Sequence, residues 1–314
     1  MNIKETVMHR MKNNPIITPS DVEKGYAMLD CGQTMYDGKY MLLIPVQRKD
    51  KNSPAIYTAT SSDGINFEIS EKPLIIPSQR YAELDKYVTR PSVSYIPEDD
   101  MYYITRPLNK NIWGQPELLA RTKDFKSIEE MGLIALPHNA SCCLFQGKVN
   151  GRYVRIEQPD STPFKPSFWL SYSDDLKYWG EYKPLLAPYT NWNADAITPT
   201  PPIKTNDGWL VIYSGVKEGR VSLGAVLLDL DDPSKVIAKG KSPILTPNLD
   251  FEYKGHTLRS SVNTCGAIVD EEKDEIVIFY CGAGMSIGVA KGSLSELLNL
   301  IKYEETNFED WIWS

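Results

Sequence analysis

Apolar and polar positions alternate with a period of two along most of the chain, which predicts strands rather than helices. Residues 30–46, 90–107, 141–159, 195–215 and 263–282 share one plan: a polar residue leads an apolar alternation, a polar turn follows, and an aromatic-rich strand comes next. The turns have hairpin chemistry at Asp37-Gly38, Glu98-Asp99-Asp100, Asn150-Gly151, Asn206-Asp207-Gly208 and Glu271-Glu272-Lys273-Asp274. A third strand is predicted at 56–67, 117–125 and 168–179, each ending in Ser or Thr, an acidic turn and an aromatic. The last copy, 287–298, has the strand and then a short helix.

A proline-flanked apolar phrase marks the period. It stands at Pro15–Pro19, Pro73–Pro77, Gly132–Pro137 (degenerate), Pro184–Pro188 and Pro243–Pro247, at intervals of 52 to 59 residues. Prolines of this kind suit edge strands and strand ends, where a missing N–H does no harm. Three or four strands per copy and five copies predict an all-β fold, a five-bladed β-propeller. Residues 1–314 then form a single domain with short helical or irregular termini at about 1–12 and 292–314. A pair of β-sandwiches is the alternative.

In a propeller the inner strand of each blade lines a central channel, and its leading residue faces a pocket at one end. Those residues are Asp30, Arg90, Ser141, Asp195 and Asn263, all polar. With 7 Trp and 18 Tyr in the chain, such a ring points to carbohydrate, because aromatic faces stack on sugar rings while carboxylates and Arg bind hydroxyls. For any single Trp core packing is the better expectation; Trp192, just before the fourth inner strand, is the one expected to face the pocket. Asn139 and Asp160 complete the expected substrate contacts.

Glycoside cleavage needs a protonated carboxyl at the leaving oxygen and a second carboxyl as base or nucleophile. The candidates are Asp30, Glu83, Asp85, Glu157, Asp160 and Asp195. Glu157 ends a strand that otherwise reads as buried, so desolvation is expected to raise its pKa; an ion pair with Arg155 or Arg90 is the competing reading. Glu157 with Asp30 or Asp195 is the chosen catalytic set, with Asp85 in reserve.

The charge balance, 34 Lys+Arg against 41 Asp+Glu, speaks against a nucleic-acid partner, which requires a basic surface. No apolar run resembles a signal peptide or a membrane span, so a cytoplasmic protein without a membrane partner is expected. Five cysteines, an odd count, fit a reducing compartment as small buried residues. His9, His138 and His256 show no metal-ligand spacing, and neither a phosphate-binding glycine loop nor a GxSxG elbow occurs, so no cofactor or metal is expected. The terminal Trp311 and Trp313 offer an apolar tail for the propeller itself or for a second subunit, which leaves a homo-oligomer open.

Several phrases resemble glycoside hydrolase family 130, the mannoside phosphorylases and related mannosidases. They include 14–19, 38–46, 59–67, 144–153, 173–179, 201–216, 227–237, 242–247, 252–255, 265–267 and 287–290, in order along nearly the whole chain. The resemblance implies a five-bladed propeller, a mannoside substrate and an inverting reaction. Functional positions depart from the family pattern. Where the family has Tyr-Arg for phosphate the chain has Ile44-Pro45; its Asp-Pro-Arg, carrying the general acid, becomes Val88-Thr89-Arg90. Asn-Lys-Asp becomes Asn139-Ala140-Ser141, His-Arg-Pro becomes Glu157-Gln158-Pro159, Tyr-His-Gly becomes Tyr213-Ser214-Gly215, and the fifth-repeat Asp falls near Gly284-Met285. Phosphate binding draws on Arg and His. Their loss leads to the expectation of a glycosidase that hydrolyses a small oligosaccharide, a β-mannoside, with water as acceptor and no use of phosphate. A non-catalytic carbohydrate-binding propeller and a phosphorylase with a displaced phosphate site are the alternatives.

Overall fold

A computed structural model describes residues 7–109, 115–135, 139–159, 167–188, 192–256 and 259–304. Within them the predicted alternations form five antiparallel sheets, the blades of a five-bladed propeller. In chain order the first blade runs Gly25–Met28, Gly32–Tyr36, Lys39–Arg48, Ala55–Ser61 and Glu68–Ile69. The second comprises Ser92–Ile96, Met101–Pro107, Glu117–Thr122 and Glu129–Ala135, and the third Asn139–Leu144, Tyr153–Pro159, Phe168–Ser173 and Gly180–Leu186. The fourth has Ala196–Pro199, Ile203–Thr205, Gly208–Lys217, Arg220–Leu228 and Val236–Lys239. The fifth joins Val262–Asn263, Ile268–Asp270, Glu275–Gly282 and Ser286–Ser293 to the N-terminal strand His9–Arg10.

The hairpins turn where the sequence requires it. Tyr36 pairs with Lys39 across Asp37 and Gly38, whose φ values of 50° and 69° match a two-residue turn with both central residues left-handed. Asn150 and Gly151, at 50° and 80°, repeat the device in the third blade. The proline phrases run along outer blade edges: Ile17 bridges Ile287, Ile75 bridges Ile56, and Leu245 bridges Leu223. All three of these apolar side chains are buried, so each phrase pins a blade edge to its neighbour.

Apolar side chains of these strands gather into five cores, each shared by two successive blades. Leu42, Ile44, Phe279 and Val289 join the first and fifth blades, whereas Leu43, Ile56, Val93 and Ile104 join the first and second. Tyr103, Leu119, Cys142 and Leu144 join the second to the third; Phe145, Phe168, Trp209 and Val211 join the third to the fourth. The fifth core, with Ile212, Leu223, Ile276 and Ile278, completes the circuit and takes in Leu297 and Ile301 of the helix Leu294–Glu304. Five blades with five shared cores make a closed ring.

The ring is locked by chain ends. His9 and Arg10 pair with Lys291 and Ala290. Arg10 also donates to both carboxylate oxygens of Glu252 at 2.8 and 2.9 Å. Glu252 is completely buried and further accepts Tyr280 Oη–H at 2.7 Å and the Asn248 and Leu249 N–H groups at 2.6 and 2.9 Å. All five cysteines are buried free thiols, and among the described residues no helix is long and apolar enough to cross a membrane.

Candidate functional site

Inner strands of the first, fourth and fifth blades are interrupted midway, between Met28 and Gly32, Pro199 and Ile203, and Asn263 and Ile268. Thr264 and Cys265, in the third of these breaks, face a pocket. This narrow cleft is lined by Arg90, Glu117, Ser141, Thr198 and Asn263, with Cys142 and Cys265 in its wall.

Three of the five expected leading residues, Arg90, Ser141 and Asn263, line this pocket. Arg90 has a left-handed backbone, φ 44°, a conformation that costs an L-residue roughly 1–2 kcal/mol and that clusters where function demands a particular side-chain direction. Asp30, half-buried, is not among the lining residues. Its Oδ2 accepts Asn263 Nδ2–H at 2.5 Å. Burial raises the Asp30 pKa, while the charge of Arg90 and the Asn263 hydrogen bond pull it back down.

The carboxyl in the pocket itself is Glu117, which the sequence reasoning missed. It opens the third strand of the second blade and is 1% exposed. Its Oε1 has no hydrogen-bond partner among the described residues. Desolvation pushes its pKa up to about 8 against the attraction of Arg90, Arg106 and Arg155. Glu117 therefore holds a proton at neutral pH, the property a general acid needs. A carboxyl at the end of a largely apolar strand was the available signal; Glu157, at the close of its strand, drew attention in that way, and Glu117 opens its own.

Glu157 is buried in an ion pair. Arg155 donates to its Oε1 from Nε at 2.8 Å and from Nη2 at 2.6 Å, Ser171 Oγ–H also donates to Oε1, and Asn139 Nδ2–H reaches Oε2 at 3.3 Å. Arg155 stacks 4.2 Å from the Trp179 ring centroid. Asp85 is held likewise, with Arg106 at 2.7 and 2.5 Å and the Ser78 N–H at 2.6 Å. Glu83 is exposed beside Lys86. Asp195 is exposed and accepts the Glu218 N–H at 2.6 Å, away from the lining of the pocket. Asp160, Trp113, His138, Trp311 and Trp313 lie outside the described residues.

Trp192 does not line the pocket but packs on the fourth blade. Its ring stacks on Tyr213, centroids 5.5 Å apart, and its Nε1–H donates to the Lys241 carbonyl at 3.0 Å. Gly215 and Gly224 make room for it, since a Cβ on either would come within 2.3 or 2.5 Å of the indole. Gly215→Ala is expected to destabilise the fold by about 1–3 kcal/mol through overpacking, read as a lower urea midpoint with unchanged slope. A variant as stable as wild type would show that the indole moves aside freely.

Among the described residues no group of three or more His, Cys, Asp or Glu side chains could hold a metal ion. Two of the nearby cations are in ion pairs, Arg106 with Asp85 and Arg155 with Glu157, while the charge of Arg90 acts on Asp30. Protonated Glu117 adds no negative charge to them.

Comparison with known proteins bears on what this pocket meets. The family model described as beta-1,4-mannooligosaccharide phosphorylase, glycoside hydrolase family 130, matches residues 7–303. A 1,2-beta-oligomannan phosphorylase of Thermoanaerobacter sp. (strain X514) is 34% identical over 296 residues, 90% of this chain and 96% of that protein. A beta-1,4-mannooligosaccharide phosphorylase of Ruminococcus albus is 29% identical over 311 residues, covering 94% of this chain and 91% of that protein. The solved structure of the Listeria innocua beta-1,2-mannobiose phosphorylase with beta-1,2-mannobiose superimposes with a TM-score of 0.84 at 27% identity, over 97% of this chain and 100% of that one. These relatives are phosphorylases, enzymes that use phosphate, and this overturns the expectation of phosphate-free hydrolysis. That expectation looked for cations only at the family's motif positions, whereas Arg106 and Arg155, on the second strands of the second and third blades, also reach Glu117 electrostatically. With the match running from residue 7 to residue 303, the chain belongs to glycoside hydrolase family 130.

Proposed function

We propose that the chain cleaves β-mannosides by phosphorolysis in the Arg90–Glu117 pocket. The observation that carries this reading is a buried carboxyl, Glu117, with its pKa raised by desolvation, in the same pocket as a guanidinium, Arg90. Glu117 donates its proton to the leaving glycosidic oxygen as the bond to C1 breaks, and a phosphate oxygen bonds to C1. Arg90 receives the phosphate by charge-assisted hydrogen bonds. Ser141, Thr198 and Asn263 supply neutral polar groups for sugar hydroxyls. After the transfer Glu117 is an anion within the field of Arg90, Arg106 and Arg155, which stabilise the charge that develops as the proton leaves.

Glu117 is the pocket's one carboxyl among the described lining residues, and it is protonated, so it is no nucleophile for a covalent sugar–enzyme intermediate. A single displacement inverts the anomeric centre, giving α-mannose 1-phosphate from a β-mannoside. The names of the Thermoanaerobacter and Listeria relatives make β-1,2-linked mannosides the first to try. The test is incubation with β-1,2- and β-1,4-mannobiose, with and without inorganic phosphate, followed by analysis of the released sugars. Mannose 1-phosphate formed only with phosphate is expected. Free mannose at equal rates in both conditions, or sugar binding with no turnover in either, would defeat the reading.

A further inference from the structure

Asn263 is the link between the pocket wall and a hydrogen-bond chain that crosses three blades. Ser214, on the second strand of the fourth blade, donates its hydroxyl to Asn263 Oδ1. Asn263 ends a two-residue inner strand of the fifth blade and donates Nδ2–H to Asp30 Oδ2 of the first blade. Ser214 is 2% exposed. An amide has one donor end and one acceptor end, so the chain has a direction. With the Ser214 hydroxyl occupying Oδ1, the NH₂ faces Asp30, and the stable partner for a donor is an ionised carboxylate. Were Asp30 protonated, nothing would oppose a turned amide with its oxygen toward the carboxyl.

Asp30 faces Arg90 electrostatically, and Arg90 is the cation that lines the pocket. We propose that Ser214 and Asn263 are positioning residues: together they hold Asp30 ionised and oriented as the counter-charge that sets Arg90 in the pocket. This rests on the phosphorolytic reading only for its effect on turnover.

The other groups facing Asp30 do not titrate in the range that matters. They are the thiols of Cys31, Cys265 and Cys281, each pushed far up by burial. The ionised form is the working one, so activity is lost as pH falls through the Asp30 pKa. Ser214→Ala removes the donor that fixes the amide, raises that pKa and moves the acid limb of kcat/KM upward.

The experiment follows the Asp30 carboxyl carbon by NMR titration in protein labelled at aspartate, with Asp30→Asn identifying the resonance. Thermal melts establish that each variant is folded. The Asp30 midpoint is expected to rise by about one pH unit in Ser214→Ala, a tenfold change in its protonation equilibrium, and to stay in place in Ser214→Thr, which keeps the hydroxyl. The acid limb of kcat/KM is expected to move with it. An unmoved midpoint in folded Ser214→Ala, or a wild-type carboxyl already protonated at neutral pH, would overturn the inference. Should Ser214→Ala fail to fold, Asn263→Leu, which can neither accept nor donate, must produce the same upward shift or the inference fails. Because the titration needs no substrate, a protein without phosphorolysis would defeat the functional reading and still leave this one tested.

Discussion

Glu117→Gln is expected to lower turnover of a β-mannoside by about 10²- to 10⁴-fold, the range a positioned general acid supplies. The amide is close in shape to the protonated carboxyl but has no proton to give to the leaving oxygen. Wild-type activity is expected to fall as pH rises past about 8, where Glu117 ionises, and the residual activity of the variant is expected to lack that limb. Stability separates this from a folding effect. The carboxyl moves from the ordinary 4.5 in the unfolded chain to about 8 in the fold, so the folded state holds the proton more tightly. Its contribution is fully present below the lower value, declines as pH rises through that window, and is absent above it. Urea unfolding at pH 5 and pH 9 should therefore show wild type losing stability relative to Glu117→Gln on going to pH 9. Equal pH dependence in the two proteins would show that Glu117 is already ionised in the folded state.

Arg10→Ala should open the ring. The guanidinium and the Glu252 carboxylate are 7% and 0% exposed, and removing one partner leaves the other charge buried without its counter-ion. Breaking a buried pair in this way costs about 3–5 kcal/mol. Here it also loosens the strand that closes the fifth blade, so an early, partial transition is expected in urea before global unfolding. Replacing both residues by apolar ones of similar volume, Arg10→Met with Glu252→Met, should be much milder, because no unpaired charge remains. A single Arg10→Ala variant within 1 kcal/mol of wild type would assign closure to the apolar contacts of the fifth and first blades alone.

The propeller was legible because its signals are local. Period-two alternation, left-handed turn residues such as Asp37-Gly38 and the recurring proline phrases each act within a few positions, and five copies reinforce one another. The helix Leu294–Glu304 carried its own pattern for the same reason. The site was legible in part. Arg90, Ser141 and Asn263 were the polar leading residues expected for the second, third and fifth copies, and the pocket gathers them. Glu117 opens a third strand, and only the closure of neighbouring blades turns that position toward the channel and strips it of water. Glu157 shows the converse: its burial was foreseen, but Arg155, two residues away on the same face of the strand, supplies a full counter-charge. The place of Trp192 depended on Gly215 and Gly224 leaving a slot, a packing fact with no signature in the tryptophan's own neighbourhood. The cation inventory misled in a related way, since Arg106 and Arg155 approach the pocket from strands whose role is otherwise structural.

Phosphorolysis conserves the energy of the glycosidic bond in a sugar phosphate, so the reaction runs readily in reverse, whereas hydrolysis does not. The most direct measurement is therefore the release of inorganic phosphate from α-mannose 1-phosphate, followed by phosphorus NMR with and without mannose as acceptor, in wild type and Glu117→Gln. Phosphate release that depends on the acceptor, yields a β-linked mannobiose and is slowed at least a hundredfold in Glu117→Gln is the predicted result. Release that proceeds equally without acceptor, or no reaction of wild type in either direction, would contradict phosphorolysis in this pocket.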